Sequence, residues 1–130
     1  MTQAMAWFGW YRLGKALCLL LLVATWSPGS AHAAGGFVAG LEDVPLMPGF
    51  ATVPDSTTVF DKPGGRIVES YANGAASPDA VIAFYDRALQ QLGWLRLRPG
   101  RFSREGEVLQ IDIVGHDGTL TVRYALAPQP

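Results

Sequence analysis

Residues Ser77 to Trp94, Ser-Pro-Asp-Ala-Val-Ile-Ala-Phe-Tyr-Asp-Arg-Ala-Leu-Gln-Gln-Leu-Gly-Trp, carry the start and stop signals of one helix. Ser77 is suited to accept a hydrogen bond from an unpaired backbone N–H, and Pro78 fits a first turn that needs no donor. Asp79 complements the positive end of the helix dipole, and Gly93 supplies a left-handed stop. Val81, Phe84, Tyr85, Ala88, Leu89 and Leu92 fall on one stripe, with Asp86, Arg87, Gln90 and Gln91 opposite. A single helix of this length is marginal in water, so the stripe predicts burial against another layer.

The flanking segments supply that layer. Thr58–Phe60 and Arg66–Ala72 read as two strands around the turn residues Asp61-Lys-Pro-Gly-Gly65, with Asn73-Gly74 closing the second. After Gly93, Trp94 to Arg98 alternates with period two. Trp94 is expected to share a face with Arg96 and Arg98, with Leu95 and Leu97 on the other. Pro99-Gly100 interrupts this strand and Arg101–Arg104 resumes it. Val108–Val114 points Leu109, Ile111 and Ile113 inward. After a tight turn at His116-Asp-Gly118, Thr119–Ala127 points Leu120, Val122, Tyr124 and Leu126 the same way. The expectation is an α+β domain over 58–127, β-β-α-β-β-β, with one amphipathic helix on one face of an antiparallel sheet. Residues 128–130 form a tail. Upstream, 34–57 holds Pro45, Pro48 and Pro54 yet is rich in apolar side chains, which predicts an extended Pro-rich arm pressed on the domain.

The first 33 residues read as a secretory signal peptide. Arg12 and Lys15 are its basic part, Ala16–Trp26 its apolar part, Ser27-Pro-Gly29 the break, and Ala31-His-Ala33 the cleavage motif. The apolar run is about half of the ~20 residues a membrane span needs. The alternative is an uncleaved signal anchor. The single cysteine, Cys18, lies inside this leader, so the remainder has no disulfide or thiol chemistry. Losing Arg12 and Lys15 leaves eight basic residues against eleven acidic ones, a formal charge of −3 that gives no electrostatic case for nucleic acid.

Few residues point to chemistry. His116 is the only histidine after the leader, too little for a zinc site even with Asp112 and Asp117 close in sequence. A nucleophile elbow and a phosphate-binding loop are both missing from the sequence, and Glu69, Glu105, Glu107 and Asp112 are not placed as a catalytic pair by any spacing. No catalytic, cofactor or metal residues are assigned.

Two features suit binding instead. Arg96, Arg98, Arg101 and Arg104 gather four guanidinium groups beside Trp94, a candidate patch for an anionic envelope partner. The plainer reading is an exposed strand blunted by charge, with Asp86, Glu105 and Glu107 as counter-ions. Leu46, Met47 and Phe50 of the arm are a candidate partner-docking element, unless they pack on their own domain.

At Phe37-Val-Ala-Gly-Leu-Glu-Asp-Val-Pro-Leu-Met-Pro-Gly-Phe50, Val59-Phe-Asp-Lys-Pro-Gly-Gly-Arg-Ile67, Phe84-Tyr85 and Leu92-Gly-Trp94, the chain resembles a family of small exported proteins of alphaproteobacteria. The resemblance covers most of the chain after the leader. It implies export and a shared domain, and carries no catalytic residue over. The resulting expectation is a non-enzymatic periplasmic or secreted protein that binds another cell-envelope component. A small-ligand or lipid-binding protein with a cavity between helix and sheet is the second reading.

Overall fold

The computed structural model describes residues 36–116 and 118–130. The predicted signal peptide and its cleavage site lie outside the described residues. The domain is α+β: a mostly antiparallel sheet with one helix. Its elements are β1 (Phe37–Val38), β2 (Leu41–Pro45), β3 (Phe50–Thr52), β4 (Thr58–Lys62), β5 (Gly65–Gly74), α1 (Pro78–Gln91), β6 (Leu95–Arg98), β7 (Arg101–Arg104), β8 (Glu107–His116) and β9 (Thr119–Pro128).

Helix α1 is capped as its sequence requires. Ser77 Oγ accepts from the Ala80 N–H at 3.2 Å, and Pro78 opens the first turn. At the other end the Gly93 N–H donates to Gln90 O and the Trp94 N–H to Leu89 O, a Schellman closure made possible by φ +88° at Gly93. This closure corrects the predicted stripe. Leu92 sits at the cap and is 45% exposed, whereas Trp94, swung back over Leu89, is only 3% exposed. Val81, Tyr85 and Leu89 are buried, and Phe84 is half-buried with its ring edge-on to Tyr85 at 4.9 Å.

The sheet runs β5-β9-β8-β7-β6, with β3 and β4 sharing the other side of β5. β3 pairs residues 72–74 and β4 pairs residues 65–69. Val68, Ala72, Leu120, Val122, Tyr124, Leu126, Leu109, Ile111 and Phe102 are buried, and Tyr124 meets Tyr85 of the helix across the core. Each of the larger apolar side chains among them is worth about 1.5–3 kcal/mol of burial before chain entropy is subtracted. The buried Ser70 hydroxyl is satisfied by Thr57 Oγ1 at 3.0 Å.

Two local expectations change. Pro99-Gly100 does not merely interrupt a strand. It is the turn of a β6–β7 hairpin, held by Ile111 N–H donating to Gly100 O at 2.7 Å, so the order from Thr58 is β-β-α-β-β-β-β. Gly100 has φ +73°, and a Cβ there would lie 2.7 Å from Ile111 O. The Pro-rich arm is not simply extended either. Its first part folds back as the β1–β2 hairpin, and Phe50–Thr52 joins the main sheet as β3. Pro45 comes only at the last position of β2, β3 fits between Pro48 and Pro54, and Val38, Leu41, Val44 and Phe50 are all core residues. The hairpin sits beside α1 on the same sheet face. Tyr85 Oη donates to Pro45 O at 2.9 Å, and Arg104 of β7 forms an ion pair with Asp43. Pro128, placed in a tail from sequence, completes β9, and the Gln129 N–H donates to Gly106 O. Helix and hairpin thus occupy one face of the sheet.

Candidate functional site

The arginines lie on the β6–β7 hairpin at the sheet edge. They do not converge on one pocket. Arg96, paired with Phe102, is on the helix side and donates from Nε to Asp86 Oδ1 at 2.9 Å. A register shift between Arg96 and Arg98 then turns the strand. Arg98 is therefore opposite Arg101 on the other face, and the expected shared face of Trp94, Arg96 and Arg98 is broken by the bulge. Arg101 Nη1 donates to Gln110 Oε1 at 3.3 Å.

Arg104 is committed within the domain. Its guanidinium lies 4.7 Å above the Trp94 ring, donates from Nη1 to Leu92 O at 3.0 Å, and pairs with Asp43. Trp94 is a buried platform for Arg104, with its indole N–H unpartnered among the described residues. It has no free face on which a ligand could stack. Of the expected counter-ions, Asp86 serves Arg96, while Glu107 pairs with Arg66 at 3.2 Å.

The candidate docking arm is also used at home. Phe50 is buried, its ring resting on the bare backbone of Gly74, where a Cβ would come within 2.6 Å of three ring carbons. Leu46 and Met47 are half-buried against the core. His116 is exposed at the end of β8, and Asp117 lies outside the described residues. Among the described residues no group of three His, Cys, Asp or Glu is placed to hold a metal ion, and no helix is long and apolar enough to cross a membrane.

The face turned away from the helix carries a polar chain across four strands. Tyr71 Oη donates to Glu69 Oε1 at 2.5 Å, and Arg123 spans Glu69 at 2.7 Å and Asp112 at 3.0 Å. Asp112 Oδ1 accepts from Gln110 Nε2, which leads on to Arg101. Hydrogen bonds from Arg123 and then Tyr71 hold the Glu69 carboxyl below its ordinary range, and the Glu69 bond raises the Tyr71 phenol. Thr58, Phe60, Ile67 and Glu69 line a surface cavity of about 240 Å³ on this face. The chain of partners satisfies itself, so it stiffens the face rather than offering open ligands.

What remains available is the edge. All of β6 is exposed, with Leu95 at 65% and Leu97 at 48%, next to the exposed Leu92. On its outer side no backbone hydrogen bond is formed among the described residues. Sequence reasoning foresaw an exposed strand but not that its leucines face solvent with it. The short run of five residues between Gly93 and the Pro99-Gly100 turn was the signal for an edge hairpin. Comparison with known proteins finds no match among family models, curated proteins or solved structures.

Proposed function

We propose that the chain is an exported, non-enzymatic periplasmic domain that binds another component of the cell envelope. The observation that carries this reading is the uncovered apolar edge: Leu95 and Leu97 point to solvent along a strand whose outer backbone groups are unpaired. Such an edge is a template for another strand; Arg96 and Arg98 guard it against a like-charged one but leave Leu95 and Leu97 uncovered. The leader in the sequence supports export, and a helix–sheet interface occupied by Tyr85 and Tyr124, whose hydroxyls meet at 2.7 Å, favours surface binding over a ligand held between the layers.

Two measurements test the reading. The N-terminal sequence of protein recovered from the periplasmic fraction is expected to begin after Ala33; an intact Met1 refutes cleavage. A photo-crosslinking amino acid placed in turn at exposed positions, among them Val59, Phe60, Leu95 and Val114, is expected to give adducts in intact cells at a subset of sites. Adducts at none of them refute binding.

A further inference from the structure

Arg98 and Arg101 are directly opposed across the β6–β7 hairpin. Opposed like charges destabilise a strand pair unless a counter-charge lies between or beside them. None of the ion pairs among the described residues includes either arginine; the five found involve Arg66, Arg96, Arg104 and Arg123, the last of them twice. Among the described residues the side chain of Arg101 meets the neutral Gln110 amide alone, and Arg98 is exposed at the rim. Outside the described residues the sequence holds a single Asp or Glu, Asp117, seven residues beyond Gln110, and none before Gly36. Beside this unneutralised pair run the free backbone edge of β6 and the exposed Leu95 and Leu97.

We propose that β6 accepts an extended, acidic segment of a partner protein as an added strand, its carboxylate seated at Arg98 and Arg101 and its apolar side chains against Leu95 and Leu97. The proposal rests on the binding function above and names the partner's chemistry. Strand addition accounts for all three features together: main-chain groups meet the open edge, a carboxylate meets the guanidinium pair, and apolar side chains cover the leucines. A lipid headgroup or a free anion would answer only the arginines. A second copy of this chain is disfavoured, because two β6 strands side by side would bring Arg96 and Arg98 of both copies together. The same residues thus repel self-association and attract an acid.

The test uses the full chain, expressed as encoded, with the photo-crosslinker at Leu95. Mass mapping of the adduct is expected to land in a segment of another protein that contains Asp or Glu within the span of one strand. A synthetic peptide of that segment is then titrated against the purified chain. Arg98→Glu and Arg101→Glu are each expected to weaken binding by about tenfold or more, as for a charge-assisted hydrogen bond. A peptide with its acid replaced by lysine should regain affinity for Arg98→Glu. An adduct with lipid or polysaccharide, a mapped segment without an acid, or affinity indifferent to Arg98→Glu overturns the proposal. Adducts at Val59, Phe60 or Val114 but none at Leu95 overturn it while leaving the binding function standing; adducts nowhere overturn both.

Discussion

The hydroxyls of Tyr85 and Tyr124 form a polar link in the core whose proton order is fixed by its acceptors. Pro45 O can only accept, so the single Tyr85 proton goes to it at 2.9 Å. Tyr124 must then donate to Tyr85 Oη across 2.7 Å. Both side chains are buried, and burial raises both phenols, Tyr124 to about 12, so neither ionises at neutral pH. Tyr85→Phe removes the acceptor of the buried Tyr124 proton and the donor to Pro45 O at once. A stranded buried hydroxyl costs about 1–3 kcal/mol and a lost hydrogen bond about 1, which gives roughly 2–4 kcal/mol. Tyr124→Phe leaves the Tyr85–Pro45 bond intact and should cost only about 1 kcal/mol. The double variant strands no phenol, so its cost should fall below the sum of the singles by about 1 kcal/mol or more. Urea titration of all four proteins gives the cycle, and in a domain of this size each kcal/mol moves Tm by about 4–8 °C. Additive singles, or Tyr85→Phe no more costly than Tyr124→Phe, would refute the assigned direction of the chain.

Other perturbations separate the fold's parts. Leu89→Ala, at a fully buried position, should cost about 3 kcal/mol, and Phe84→Ala, half-buried at the rim, clearly less; equal losses in chemical denaturation would contradict this packing. Gly74→Ala pushes a methyl into the Phe50 ring and should cost about 1–3 kcal/mol, with amide exchange speeding up first in β3; unchanged exchange there would show that Phe50 is not seated on Gly74. The depressed Glu69 carboxyl contributes stability that is fully present above its ordinary value of 4.5 and is lost as pH falls through its lower folded value. Stability measured from pH 5 downward should therefore decline less steeply in Glu69→Gln than in the parent; identical slopes would remove Glu69 as a contributor.

Much of this architecture was legible because local rules and burial agree. Ser77, Pro78 and Gly93 mark the helix, and the alternation in β8 and β9 assigns Leu109, Ile111, Val122 and Tyr124 to the core. The failures come where a local signal has two outcomes. Leu92 fits the helical period, but the Gly93 cap ends that period and hands its place to Trp94. Three prolines argued against strands in the arm, yet β2 ends on Pro45 and β3 fits between Pro48 and Pro54, since proline costs a strand only where its N–H was needed. At the candidate site the arginine cluster was visible as composition. Its division was not, because a single bulge in β6 decides that Arg96 meets Asp86 while Arg98 meets Arg101. The pairing of Arg104 with Asp43, 61 residues away in sequence, depends on where the β1–β2 hairpin settles, which no local pattern encodes.

Strand β9 lies at mid-sheet, with β5 on one flank and β8 on the other. Val68 of β5 and Leu109 of β8 are both paired with Leu126, so this one strand ties together segments far apart in sequence. Pairings this distant in sequence cost the most loop-closure entropy, so the sheet is expected to close on β9 after its local hairpins have formed.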